Sequence, residues 1–309
     1  VRRWDALSDQ WVEQPPLKGH GGWVQAIAFG PYRPSPSTPA FSPEERGSQV
    51  LELLYSADSW GQLCSWPYAE KEPAPSWSVK DAHDGWIRSV AVSPNGKLLA
   101  TCGLDQKVCV WSAADGAKRL ELVGHGEDVF CVAFHPDGRS LVSGDLKGVI
   151  KHWDLEAGTC MREFDARVLF KVDRLQDVGG VRCLAFDRDG TAFACGGTQP
   201  KVGGNVQGNP TILLFDWHTG MRKHTLELGG EGDGFVYDVH FHPDGFLMAV
   251  TSGNPGSGKF LYIRPRDKEP FFVTTKMANC HSLAIHPNGL RLAVTATNTG
   301  SNGNGRQLD

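Results

Sequence analysis

Gly253-Asn254-Pro255-Gly256-Ser257-Gly258-Lys259 has the spacing of a phosphate-binding Gly-x-x-x-x-Gly-Lys loop. That chemistry needs a Ser or Thr hydroxyl after the lysine for Mg²⁺ and backbone amides that open onto a helix N-terminus. Phe260 follows instead, and the flanks Leu247-Met248-Ala249-Val250 and Phe260-Leu261-Tyr262-Ile263 read as strands, so a hairpin loop is expected here. His240 and His242 would share one face of a strand and invite a metal ion. Yet His135-Pro136, His242-Pro243 and His286-Pro287 recur before equivalent turns, which assigns the histidine to the turn. The eight cysteines contain no Cys-x-x-Cys pair. Cys131 and Cys183 each stand three residues before a Phe, where other copies place Ala26, Ser89, Asp238 and Ser282, as expected of a tight packing site. Unpaired thiols favour a reducing, cytoplasmic compartment. With no Gly-x-Ser-x-Gly elbow and no carboxylate pair of defining spacing, no catalytic residue, cofactor or metal is assigned.

The elements that would carry any site are repeats. His83 to Trp111 and His125 to Trp153 span the same interval of 28 residues. Asn95-Gly96, Asp137-Gly138, Asp189-Gly190, Asp244-Gly245 and Asn288-Gly289 each follow a short alternating apolar run such as Val129-Phe130-Cys131-Val132-Ala133-Phe134. Asx-Gly supplies the positive φ of a tight hairpin, so each copy reads as strand, turn, strand. Their spacings of 42, 52, 55 and 44 residues approximate one four-stranded propeller blade, the longer two containing inserted loops.

On these motifs the chain resembles the WD-repeat (beta-transducin-like) β-propeller family, over essentially its whole length, and is identified as a bacterial member of it. The resemblance implies a hydrogen-bonded structural tetrad in each blade: a His before the first strand, a Ser or Thr in the second, an Asp in the hairpin and a Trp in the third. His83, Thr101, Asp105 and Trp111 form one complete set. His20, Ser56 and Trp66 match with Trp60 in the aspartate's place, and His125, Ser143 and Trp153 match with Lys147 there. The copies near 186 and 241 lack the His, and Phe215-Asp216 replaces Trp-Asp, so weaker internal bracing is expected in the later blades.

The expected fold is therefore an all-β propeller in one domain, residues 1–309, with partial blades at 1–18 and 278–309 and complete blades at 19–80, 81–123, 124–178, 179–230 and 231–277. The ends would either complete one another, giving six blades, or belong to a truncated seven-bladed parent. A start in mid-repeat favours the fragment.

Composition fits a globular β domain: 21% charged and 40% apolar residues, with 37 Gly and 19 Pro for many turns. A net charge of −4 gives no basic footprint for nucleic acid, and no apolar run approaches a membrane span. Sorting insertions by the ends of a four-stranded meander puts 164–180, 198–210, 254–258 and 297–305 on the tetrad-bearing end, and only the Pro- and Ser-rich 31–49 on the other. Trp23, Trp86 and Phe235 share one place before the first strand, with Trp60 in an adjacent hairpin. Trp23 and Trp86 are expected to pack between blades, while Trp60 reads equally as packing or as a partner anchor. The reading is a non-catalytic scaffold that binds a protein or peptide on the tetrad-bearing face, with Trp23, Trp60, Trp86, Phe235 and Lys147 as candidate contacts. Its rivals are a small-ligand or metal-dependent enzyme site in the central channel, with His240, Asp238 and Asp233 as candidates, or the recognition module of a longer enzyme.

Overall fold

The computed structural model describes residues 1–5, 12–30, 53–68, 70–173, 175–201, 208–253, 256–277, 279–285 and 292–296. The insertion 31–49, the turn 286–291 and the segment 297–305 thus lie outside the described residues, as do 202–207 within the insertion 198–210. Two compact units divide the chain, residues 1–124 and 125–309. Each is built from antiparallel sheets, with no helix long and apolar enough to cross a membrane among the described residues.

The first unit holds a two-stranded sheet, β1 (Arg3–Asp5) with β2 (Val12–Gln14), and two four-stranded blades. One blade is β3 (Val24–Gly30), β4 (Leu53–Asp58), β5 (Leu63–Pro67) and β6 (Trp77–Val79). The other is β7 (Ile87–Val92), β8 (Leu98–Gly103), β9 (Val108–Ser112) and β10 (Lys118–Leu122). The second unit holds three blades: β11 (Val129–Phe134) to β14 (Thr159–Asp165) through β12 (Ser140–Asp145) and β13 (Val149–Asp154); β17 (Val181–Phe186), β18 (Ala192–Pro200), β19 (Gly208–Asp216) and β20 (Arg222–Glu227); and β21 (Phe235–Phe241), β22 (Leu247–Ser252), β23 (Lys259–Ile263) and β24 (Phe272–Thr274). It also contains two hairpins, β15 (Phe170–Asp173) with β16 (Gln176–Gly179), and β25 (Cys280–Ile285) with β26 (Leu292–Ala296). Five four-stranded antiparallel meanders give the expected all-β propeller class.

The inner strands are buried on both faces, which accounts for their runs of Val, Leu, Ala and Cys. Every first strand carries a bulge at one place, between Val24 and Ala26, Ile87 and Ser89, Val129 and Cys131, Val181 and Cys183, Val236 and Asp238, and Cys280 and Ser282. The extra residue is respectively Gln25, Arg88, Phe130, Arg182, Tyr237 and His281. Cys131 and Cys183 follow it opposite Gly144 and Gly196; a Cβ on Gly196 would fall 2.6 Å from the Cys183 sulfur, so this place is tightly packed.

Three local readings change. The Asx-Gly turns use positive φ only at the glycine, as at Gly96, Gly138 and Gly190 (each +70°). The Asx instead accepts a backbone hydrogen bond two residues on: Lys97 N–H donates to Asn95 Oδ1 (2.9 Å) and Arg139 N–H to Asp137 Oδ1 (2.7 Å). The insertion 164–180 is a short 3-10 turn, Arg167–Leu169, followed by the β15–β16 hairpin. At 198–210 the second and third strands continue through Thr198↔Pro210 and Gln199↔Asn209 to Pro200↔Gly208, so both described ends of the expected loop are ladder.

Candidate functional site

Three blades carry a hydrogen-bonded chain of four side chains. In the first, Trp66 Nε1–H donates to Ser56 Oγ (2.7 Å), which lies 2.6 Å from His20 Nε2, and His20 Nδ1 lies 2.9 Å from Asp58 Oδ2. With the indole donating, the hydroxyl hydrogen points to Nε2, which leaves Nδ1–H to donate to the carboxylate. Trp111, Thr101, His83 and Asp105 repeat the chain at 2.8, 2.7 and 2.9 Å. Trp153, Ser143, His125 and Asp145 repeat it at 2.8, 2.7 and 2.8 Å.

The aspartate therefore stands at Asp58 and Asp145, where Trp60 and Lys147 had been placed from the sequence. In these two blades it lies two residues after the Ser, at the end of the second strand; in the other it lies four after Thr101, in the turn, and Gly103 occupies the strand position. A Cβ on Gly103 would fall 3.4 Å from Asp105 Oδ1, so both routes deliver a carboxylate to one point. Burial alone would raise the Asp58 carboxyl, but the Gln62 amide, His20 and the Trp60 and Gly22 amides outweigh it and hold it below the usual range. Asp105 behaves likewise: burial raises it, and hydrogen bonding from His83 with its charge and the Asp84 and Lys107 amides lowers it further.

In the fourth and fifth blades the same register places no longer carry the tetrad. Cys195, Gly197 and Phe215 replace the Ser, Asp and Trp of β12 and β13, and Ala249, Thr251 and Ile263 do so in the next blade. Leu169, fully buried, fills the vacated space of the fourth blade: its Cδ1 lies 3.2 Å from where a Gly197 Cβ would stand, and it shares a core with Phe193, Cys195 and Phe215. The weaker bracing expected of these blades is offset by packing.

Freed of the tetrad, Trp60 is 70% exposed and Trp23 is 73% exposed, and Trp23 does not pack inside a blade interface as expected. Trp86 is half-buried, edge-on to Trp23 with centroids 6.0 Å apart at 88°. These three indoles of the first unit stand on a hydrogen-bonded frame. Ser59 N–H donates to the Trp23 carbonyl (2.9 Å), Trp23 N–H to Ser59 Oγ (2.9 Å), Trp60 N–H to Asp58 Oδ1 (2.9 Å), and Leu104 N–H to the Trp86 carbonyl (3.1 Å). Trp60 lies over Gly21 and Gly22; a Cβ on Gly21 would be 2.7 Å from its Cζ3, so glycine is what permits the contact. Arg88 covers Trp86 at 4.7 Å.

The remaining candidates belong to the second unit. Phe235 is half-buried under the Arg182 guanidinium (5.2 Å), which also stacks on Phe130 (4.1 Å), and exposed Lys147 pairs with Glu127. His240 Nε2 lies 3.2 Å from Asp238 Oδ1, while Asp233 takes Lys259 of the loop that imitated a phosphate site (2.7 Å) and the Gly230 amide (2.9 Å). Lys259 is thereby tied down inside strand β23. His135 and His242 each accept the N–H of the Asp two residues on at 3.2 Å, a turn role. Among the described residues no three His, Cys, Asp or Glu cluster as metal ligands, and none of the eight cysteines is in a disulfide. Burial pushes the Cys109 and Cys195 thiols up to about 12, away from the reactive thiolate.

Residues 76–112 and 116–154 each match the WD domain, G-beta repeat. The chain is 32% identical over 191 residues to the human angio-associated migratory cell protein, covering 55% of this chain and 44% of that protein. It is 25% identical over 248 residues to transcription initiation factor TFIID subunit 5 of Caenorhabditis elegans, covering 74% and 35%. Small ribosomal subunit protein RACK1y of Oryza sativa is 25% identical over 186 residues, covering 60% and 48%. The chain spans less than half the length of each of these relatives.

Proposed function

We propose that this WD40-repeat chain is a non-catalytic protein-interaction scaffold, a single propeller domain over residues 1–309 that binds a protein or peptide on its tetrad-bearing face. The observation that carries the reading is the patch of Trp23, Trp60 and Trp86: large rings left in solvent, yet held by glycine contacts and backbone hydrogen bonds. A surface that keeps two indoles more than two-thirds exposed gives up their burial in the free protein and recovers it when a partner covers them. Preorganisation of the frame means little ordering is needed at that moment. Phe235 and Lys147 are secondary contacts, since each already has an intramolecular partner. The names of the relatives, a transcription-factor subunit and a ribosomal-subunit protein, fit membership of assemblies. A net charge of −4 supports a protein rather than a nucleic acid as partner. The expected bacterial source belongs to this proposal as well.

The test is capture of partners by wild type and by Trp23→Ala/Trp60→Ala from the native host's lysate, with circular dichroism as a folding control. Selective loss of at least one captured protein is the expected result. Identical recovery of every partner by a folded variant removes this patch as the working surface.

A further inference from the structure

The repeats supply a template for a second site, in the crevices between neighbouring blades rather than on the tryptophan patch. Between the third and fourth blades the crevice is filled by Trp217, two residues beyond Phe215; it is buried, stacks on His135 (4.5 Å, 22°) and carries the Arg162 guanidinium at 4.8 Å. Between the two blades of the first unit the residue at that place is Ala113, two beyond Trp111, and an indole comes from the other side: Trp77 Nε1–H donates to the Ala113 carbonyl (3.1 Å). Trp77 holds the fourth-strand place that Arg162 holds in the third blade and His224 in the fourth, each paired with the residue before the third-strand aromatic.

Between the fourth and fifth blades neither donor is present. Pro265, two beyond Ile263, stands at the Trp217 place, and His224 stands at the Trp77 place. The surrounding core is aliphatic here, Leu226, Leu247 and Ile263, where the neighbouring crevice has Phe164, Phe193 and Phe215. A cavity of about 430 Å³ results, walled by Phe241, His242, His224 and Pro265. That lies in the size range of small-ligand sites. At this crevice Asp187 stands where His135 stands beside Trp217, and His242 lines the cavity from the fifth blade with its ring stacked on Phe246 (4.2 Å, 11°).

Charge lies at the same cavity. Arg188 and Arg266 are exposed in its lining and have no hydrogen bond or ion pair among the described residues. Lys223 is held by Asp216 (2.5 Å), and the Asp187 carboxylate is taken by Thr191 (2.8 Å) and the Ala192 amide (3.1 Å), which leaves Asp189 as the lining's uncommitted acid. An aromatic-sized void edged by two free guanidiniums suits a ring flanked by carboxylates. We propose that the crevice between the fourth and fifth blades binds an aromatic side chain of a partner protein, tryptophan above all, in a segment with acidic residues beside it. The bound ring repeats from outside what Trp217 and Trp77 do from within.

The experiment titrates the full chain with acetyl-Glu-Trp-Glu-amide by calorimetry, with acetyl-Glu-Ala-Glu-amide and acetyl-Gln-Trp-Gln-amide as controls. Saturable binding of the first peptide is expected, and the alanine peptide should bind at least about tenfold more weakly, the loss of one desolvated ring. Pro265→Trp fills the cavity from within and is expected to abolish binding while raising the melting temperature; if that variant is less stable than wild type, His224→Trp fills it from the other side. Arg188→Glu/Arg266→Glu should weaken the Glu-Trp-Glu peptide about tenfold and leave the Gln-Trp-Gln peptide unchanged. Undiminished binding to a folded filled variant, or equal binding of the alanine peptide, overturns the proposal. Trp60→Ala should not alter this binding; if it does while Pro265→Trp does not, the peptide sits on the tryptophan patch and the crevice is wrong.

Discussion

The third and fourth blades adjoin in one unit and solve the same packing problem in opposite ways. In the third, Trp153, Ser143, His125 and Asp145 pass hydrogen bonds along a buried line; in the fourth, Phe215, Cys195, Leu169 and Gly197 fill the corresponding places with van der Waals contact. Polar bracing is intolerant of partial loss, because each deleted group strands a neighbour's donor or acceptor. Apolar bracing is graded, and its cost follows the volume removed. The difference teaches that the tetrad is one way of filling a blade, and that a blade can drop it when all of its members change together.

The largest effect expected from breaking this comparison is that of Trp153→Ala, which removes a fully buried indole and orphans Ser143: about 3–5 kcal/mol of destabilisation in urea unfolding. Phe215→Ala should fall in the same range, since its cost is volume alone, so equal values would separate size from hydrogen bonding. Next comes the pair that isolates polarity. Ser143→Ala leaves the Trp153 N–H and a His125 nitrogen without partners and should cost about 1–3 kcal/mol, whereas Cys195→Ala at the matching position should cost about 1 kcal/mol or less. Similar costs for the two would show that the hydrogen bonds add nothing beyond volume.

Acid should act on the polar blades. Asp58 and Asp105 have folded-state pKa values below their ordinary ones, so their contribution is complete above the unfolded value, near 3.9, and is lost as pH falls through the depressed folded value. Amide exchange within β4 and β8 is expected to accelerate below about pH 4, and Asp58→Asn should remove that pH dependence from β4. The smallest effect belongs to Trp60→Ala, within about 0.5 kcal/mol in stability, because its ring is mostly in solvent. A much larger loss would mean the patch is structural.

Much of this was legible in the chain. Asx-Gly punctuation located the hairpins, and the His, Ser or Thr, and Trp spacing located the tetrads, because strand period and turn chemistry act over a few residues. Asp58 and Asp145 were missed by transferring the Thr101-to-Asp105 spacing; the readable signal was Ser-x-Asp, in Ser56-Ala57-Asp58 and Ser143-Gly144-Asp145. The β15–β16 hairpin escaped because each strand is only four residues long, and the extension of β18 and β19 because Pro200 and Pro210 read as loop. The exposure of Trp23 and the missing ring beside Pro265 depend on which neighbouring strand a residue meets, and one sequence does not encode that locally.

The bulge in each first strand separates two kinds of mutation. The ladder around it has the same register in all six copies, yet the residue it ejects is Gln25, Arg88, Phe130, Arg182, Tyr237 or His281. Being extra to the pairing, that residue can change identity without shifting the partners on either side. Each repeat thus has a writable position within a shared ladder register, and a set of such positions lets blades of one register spell different surfaces without relearning how to pair.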